Sequence, residues 1–230
     1  MKFSHKLKKL AQPLTYRRTR RRVQRWRHPI PLRPLLAKID YERLRDIQAR
    51  YTSSSGHYAK YLDVEQHLRI NIRRVQDLGL HRSPPQKVLD IGPGGGFFLF
   101  ILKQFRHSCL GLDTNEFPVF SELMQLFGVP RKTWTIRAFE RLPDLGRKFD
   151  LITAFSAAFQ GRDMHPWQWG AEEWSFFLDD LNRHLKTGGR IVFALNPSYE
   201  GRYYTAEILD LFLRRGAAVE RENVIFPAKK

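Results

Sequence analysis

The stretch Val88-Leu-Asp-Ile-Gly-Pro-Gly-Gly-Gly-Phe-Phe98 sets one carboxylate, Asp90, just ahead of Gly92, Gly94 and Gly96, which fall at every second position. Glycines so placed let the backbone turn sharply and approach a ligand that any Cβ would block. Two common phosphate-binding patterns fail here. A G-x-G-x-x-G fingerprint started from Gly92 ends on Phe97 and one started from Gly94 ends on Leu99, and no Gly-Lys-Ser/Thr follows for a P-loop. Seventeen residues past Gly96, Cys109-Leu-Gly-Leu-Asp113 brings a second carboxylate to the end of an apolar run. At the end of a strand such a group accepts hydrogen bonds from both hydroxyls of a ribose. Alone, Asp113 reads as a turn or capping residue. Joined to the Asp90 loop at this separation, it reads as part of a nucleoside site.

A second group of reactive side chains follows the apolar run Asp150–Phe155: Ser156, Gln160, Arg162, Asp163, His165, Trp167 and Trp169. His165 is the candidate general base, because neutral imidazole takes a proton near pH 7, and Asp163 is placed with it. Trp167 and Trp169 fall outside any periodic run and are candidate pocket walls. Trp174 shares helical spacing with Leu178 and Leu181 and reads as core. The lone cysteine, Cys109, lies mid-strand; it excludes an internal disulfide framework and a multi-cysteine zinc site. H-E-x-x-H is absent, and no metal is expected.

These groups need a scaffold, and the chain alternates short apolar runs with helical ones. Strands are expected at Lys87–Ile91, His107–Leu112, Thr133–Arg137, Asp150–Phe155, Arg190–Leu195 and Ala218–Phe226. Helices are expected at Phe97–Phe105, Pro118–Phe127, around Trp174–Leu185 and at Tyr204–Arg214. Such alternation implies a doubly wound, Rossmann-like α/β fold with a mainly parallel sheet of about six strands. Ligands bind such sheets at the carboxyl ends of the strands. Upstream, Ile39–Tyr51 and Tyr61–Leu80 read as N-terminal helices. The expected organisation is a basic arm and linker at 1–38, N-terminal helices at 39–82 and the α/β domain at 83–230.

The Asp90 loop and Asp113 resemble the class I S-adenosylmethionine-dependent methyltransferases, over about residues 57–226. Phe149-Asp-Leu-Ile-Thr-Ala-Phe155 is similar to the family's fourth strand. Leu185-Lys-Thr-Gly-Gly-Arg-Ile-Val-Phe193 is similar to its "LKPGG" segment, with threonine for proline. The resemblance implies that S-adenosyl-L-methionine is the cofactor and that Gly92, Gly94 and Gly96 wrap its methionine part, with Asp90 at the base of the loop. It also implies that Asp113 binds ribose and that Leu112 and Thr114 flank adenine, with Phe139, Glu140 and Phe155 completing the cofactor site. Where many relatives carry an acid and alanine after the third strand, this chain reads Ala138-Phe139-Glu140, so Glu140 or backbone groups are expected to hold the adenine amino group. The segment His57–Tyr61 before the first strand has two readings: a purely structural role, which is favoured, or contact of Tyr58 or Lys60 with the methionine carboxylate. The family's sheet usually has seven strands closed by an antiparallel hairpin. With one strand expected after Tyr204–Arg214, this sheet is expected to be shortened at its C-terminus. Asn196-Pro-Ser-Tyr199 follows the fifth strand, not the fourth, which argues against N-methylation of bases.

The charge is uneven. Residues 1–38 hold five lysines, eight arginines and no acid, so thirteen of the net +17 charges lie there. Phe3, Leu7 and Leu10 recur at helical spacing among Lys2, Lys6, Lys8 and Lys9, the pattern of a basic amphipathic helix. An anionic membrane surface is the favoured partner of this arm. RNA, an organellar transit function and a purely solubilising tail are the alternatives. With no apolar run long enough to span a bilayer and no secretory segment, the expectation is a cytoplasmic protein, peripheral at the inner membrane surface. The resemblance implies methyl transfer; the sequence does not name the acceptor, and a hydroxyl of a small molecule, glycan or lipid-linked compound is the favoured class because no added RNA-binding module is recognisable. An RNA methyltransferase and a non-catalytic cofactor-fold scaffold are the rival readings.

Overall fold

Apolar strands separated by amphipathic helices can bury both faces only as a sheet covered on either side. A computed structural model describes residues 13–52, 59–157, 159–162, 165–198 and 201–228, with side chains from residue 19 onward except at 160–162 and 165–168. The N-terminal part holds α1 (Pro13–Arg27), α2 (Arg33–Leu36), α3 (Tyr41–Tyr51) and α4 (Val64–Asp77). The alternating part follows as β1 (Lys87–Ile91), α5 (Phe97–Gln104), β2 (Ser108–Asp113), α6 (Pro118–Leu126), β3 (Arg131–Thr133) and β4 (Phe149–Phe155). Then come β5 (Gln160–Arg162), β6 (His165–Gln168), α7 (Ala171–His184), β7 (Leu185–Ala194), α8 (Ala206–Arg214), β8 (Ala218–Glu220) and β9 (Asn223–Phe226).

The main sheet has seven strands in the order β3-β2-β1-β4-β7-β9-β8, and β5 pairs with β6 in a separate ribbon. Strands β1 to β4 and β7 run parallel, while β9 is antiparallel to both β7 and β8. The doubly wound class is as expected, but the sheet is not shortened. The run Ala218–Phe226 is two strands, because Arg221 adopts φ 53° and turns the chain back on itself. The Glu222 carbonyl, in that turn, accepts from the Leu195 amide at 2.8 Å, which locks the hairpin to the end of β7. The third strand lies slightly upstream of its expected place: pairing with β2 covers Arg131–Thr133.

Alternation along β1 divides the core. Val88 packs into a layer with Ile47, Leu68, Val75, Phe98 and Leu99, while Leu89 and Ile91 face a second layer built on Trp174, Phe177, Phe193 and Phe212. The N-terminal helices therefore belong to the first covering layer. Asp40 and Asp63 start α3 and α4 by accepting from the amides of Arg43 (3.0 Å) and Gln66 (2.9 Å).

The basic segment is partly docked. Arg21 pairs with Glu220 at 3.1 Å and Arg25 with Asp77 at 3.5 Å, while the Gln76 amide donates to the carbonyls of Arg25 and His28. Leu35, in the expected linker, is buried in the first core layer. The amphipathic pattern of Phe3, Leu7 and Leu10 lies outside the described residues. Among the described residues no helix is long and apolar enough to cross a membrane.

Candidate active site

Strand order reverses between β1 and β4, and a crevice opens where such neighbours diverge. Asp90 of β1 and Thr153 of β4 meet beneath it, with the Thr153 hydroxyl donating to Asp90 at 2.6 Å. Both are buried. Burial pushes the Asp90 carboxyl up to about 7, against the opposing pull of the Thr153 hydrogen bond and the Arg74 charge.

Above this pair the chain leaves β1 through Gly92, Gly94 and Gly96, all at positive φ. The Gly92 amide donates to the Leu112 carbonyl at 2.8 Å, tying the loop to β2. A Cβ at Gly94 would project into open space whose nearest atoms belong to the Phe120 ring at 4.0 Å. At Gly94 the backbone is thus bare on its open side, suited to a ligand pressed against it, whereas Gly92, Gly95 and Gly96 face Ala157, Phe97 and Met124. Asp113 closes the other side. Its Oδ2 accepts from the Gly94 amide at 3.1 Å and its Oδ1 from the Thr114 amide at 2.9 Å. Burial raises the Asp113 pKa while these two amides pull it back. Each carboxylate oxygen keeps acceptor capacity beyond the one bond it makes. Leu112 is buried at the end of β2, and the Thr114 carbonyl accepts from Arg131.

The loop's outer wall comes from α4 and its neighbours. The His67 ring is sandwiched between Tyr61 (5.0 Å) and Phe97 (4.9 Å), and Tyr61 meets Phe120 edge-on at 4.8 Å. His67 Nε2 lies 3.0 Å from the Lys60 carbonyl, so that nitrogen carries the proton, and burial lowers its pKa. Two turns further, Arg74 stacks over Phe155 at 4.7 Å and donates to Asn71 at 3.0 Å. Burial lowers its pKa while the Asp90 charge opposes this. Among the described residues no carboxylate lies within ion-pair distance of this guanidinium. Arg74 was not a sequence candidate. Its signal was its place beside Asn71 and Val75, at the edge of the apolar stripe of α4.

The structure gathers Asp90, Gly92, Gly94, Gly96, Leu112, Asp113 and Thr114 at one strand edge. Phe155 joins them through Arg74 and through its edge-on contact with Phe98 at 4.9 Å. Phe139 and Glu140 are different: Phe139, 54% exposed, packs on Phe176, and Glu140 pairs with Arg137 at 3.2 Å. Among the described residues no hydrogen bond or ring contact joins these two to the glycine loop. Lys60 lies over the Tyr61 ring, and Tyr58 is outside the described residues.

Beyond β4, Ser156 takes φ 60° and its carbonyl accepts from the Asn196 side chain at 2.7 Å. Ala157 then comes close to the glycine loop, 3.3 Å from where a Gly92 Cβ would lie. The β5–β6 ribbon follows. His165 opens β6 and pairs in register with Arg162 of β5, and Asp163 lies outside the described residues. Trp169, a candidate wall, is buried among Phe159, Trp174 and Phe177, so it anchors the base of this insertion. Cys109 is buried as expected, and burial pushes its thiol up to about 12, which keeps it unreactive.

No protein-family profile matches the chain, and no curated protein matches it. Solved structures do. The PH0226 protein from Pyrococcus horikoshii OT3 aligns at 16% identity over 73% of this chain and 94% of that one, with a TM-score of 0.51. The fold is the class I methyltransferase fold. The ribosomal protein L11 methylase from Lactobacillus delbrueckii subsp. bulgaricus aligns at 17% identity, over 74% of this chain and 80% of that one, with a TM-score of 0.45. The glycopeptide N-methyltransferase MtfA aligns at 13% identity over 58% of this chain, with a TM-score of 0.42. The aligned region spans 55% of the MtfA chain, just over half its length.

Proposed function

We propose that the protein is a methyltransferase that uses S-adenosyl-L-methionine. The observation that carries this reading is the Asp113 carboxylate, held by the Thr114 amide and by the Gly94 amide of the glycine loop. A carboxylate anchored in this way presents its remaining lone pairs to paired ribose hydroxyls at fixed spacing. The bare backbone at Gly94 suits the chain joining ribose to the amino-acid end of the cofactor. Asp90 would face the ammonium group of that end, directly or through water, and the Arg74 guanidinium would receive its carboxylate.

When bound, the cofactor supplies an electrophilic methyl group on a cationic sulfur. The protein's contribution is to hold an acceptor oxygen in line with that methyl and to exclude water, which supplies roughly 7–11 kcal/mol through proximity and orientation. The favoured acceptor is a hydroxyl of a small molecule, glycan or lipid-linked compound, admitted under the β5–β6 ribbon. His165 is assigned as the base that takes the hydroxyl proton, and Asp163, nearby in sequence, is the second proposed catalytic residue. The ribbon supports this assignment because it follows β4, at the carboxyl edge where Ser156 and Ala157 border the glycine loop.

Calorimetry with S-adenosylhomocysteine tests the reading. Stoichiometric binding that Asp113→Ala weakens is the expected result. An absence of heat with both S-adenosylhomocysteine and S-adenosylmethionine would leave a scaffold without the cofactor and sink the proposal.

A further inference from the structure

Helix α1 separates its cations into two sets. Arg21 and Arg25, one turn apart, point inward onto Glu220 and Asp77 and fasten the helix to the body. Arg20, Arg22 and Arg27 are exposed, and among the described residues none of them has an ion-pair partner. On the same solvent side Trp26 is 81% exposed and Val23, three residues before it, 41%. Among the described residues nothing covers this tryptophan. Arg73, exposed on the neighbouring α4, adds a cation close to Asp77. Upstream in sequence lie Lys2, Lys6, Lys8 and Lys9 with Phe3, Leu7 and Leu10.

We infer that the outer face of α1, carrying Arg20, Arg22, Val23, Trp26 and Arg27, docks the protein on an anionic phospholipid surface. Charge complementarity selects a polyanion, since each basic residue near an anionic leaflet adds to the attraction. The apolar pair selects lipid: an amphipathic tryptophan beside arginines sits at headgroup depth, with its ring among the upper acyl chains. The inward pairs give the helix a fixed orientation, so lipid meets a preformed face. The Arg21 contact to Glu220 sets α1 at the edge strand β8, with β9, β7 and β4 between it and β1. This inference stands apart from the methyl-transfer reading, and its test uses no cofactor.

The test is co-sedimentation of the full chain with vesicles of phosphatidylcholine mixed with phosphatidylglycerol, and with phosphatidylcholine alone. Binding is expected only to the mixed vesicles, and it is expected to fall as salt rises. The combined Arg20→Glu, Arg22→Glu and Arg27→Glu variant should bind at least tenfold more weakly, with an unchanged circular dichroism spectrum. Brominated lipid should quench the fluorescence of the wild type and lose part of that quenching in Trp26→Phe; this arm holds if the triple variant fails to fold. Equal binding by the folded triple variant, or no quenching assignable to Trp26, overturns the inference. So does tight binding to an RNA oligonucleotide by a protein that ignores both kinds of vesicle.

Discussion

The Arg74 guanidinium lies 4.7 Å over the Phe155 ring while its charge bears on the buried Asp90 carboxyl. A half-buried cation without a carboxylate in ion-pair range is costly unless a ligand completes it. Arg74→Ala should therefore weaken S-adenosylhomocysteine by about 1.5–3 kcal/mol, the worth of a hydrogen bond to a charged group. Methylthioadenosine, which has no amino-acid end, should lose little. Calorimetry with both ligands separates the two cases. Equal losses would mean that Arg74 only supports Phe155.

Asp113 links the loop to β2 and is assigned to ribose. Asp113→Ala removes both functions, and S-adenosylhomocysteine binding should fall by about 1–3 kcal/mol. Unchanged affinity would count against the ribose assignment.

The Asp90 carboxyl titrates near 7 in the free protein. Its folded pKa is raised, so the native state keeps a proton that the unfolded chain has already released, and stability declines as pH climbs from about 4 toward 7. A cationic ligand beside Asp90 reverses the preference and draws the proton off. Affinity for S-adenosylhomocysteine should rise between pH 6 and 8 and level off above. Proton release should appear as a buffer-dependent binding heat near pH 6.5. Asp90→Asn should flatten both curves; a pH-independent wild type would show that no ligand cation reaches this carboxyl.

Gly96 has φ 76°, and a Cβ there would sit 2.8 Å from Met124 Cγ. Gly188 has φ 77° and nothing within 4 Å. Replacing Gly188 by alanine should cost only the left-handed backbone penalty, about 1–2 kcal/mol. Gly96→Ala should cost more, because Met124 must also move. Urea midpoints of the two variants measure the difference, and equal shifts would mean that α6 yields freely.

The glycine loop, Asp113 and the alternation from β1 to β4 and on through α7 and β7 are legible in the chain because each depends on local residue types at fixed spacing, whereas the β5–β6 ribbon and helices α1 and α2 are not among the expected elements. Strand β1 lies where expected, and α5 and α6 end within one residue of expectation. What escapes sequence reading depends on contacts between distant segments. Arg74 is one of many arginines until the burial of α4 singles it out. Arg221 reverses the chain without the glycine or asparagine that marks most left-handed turns, so β8 and β9 read as one strand. Trp169 sits outside any periodicity, yet packing against Phe159 and Phe177 buries it.

The bond from Arg21 to Glu220 spans 199 residues. During synthesis α1 leaves the ribosome long before its final fastening exists: Arg25 finds Asp77 after 52 residues, whereas Arg21 must wait for the 199 that separate it from Glu220. Throughout that interval the Arg21 cation remains available, so the nascent helix is stickier than the same helix in the finished protein. Maturation of the last hairpin thus also quiets the first helix.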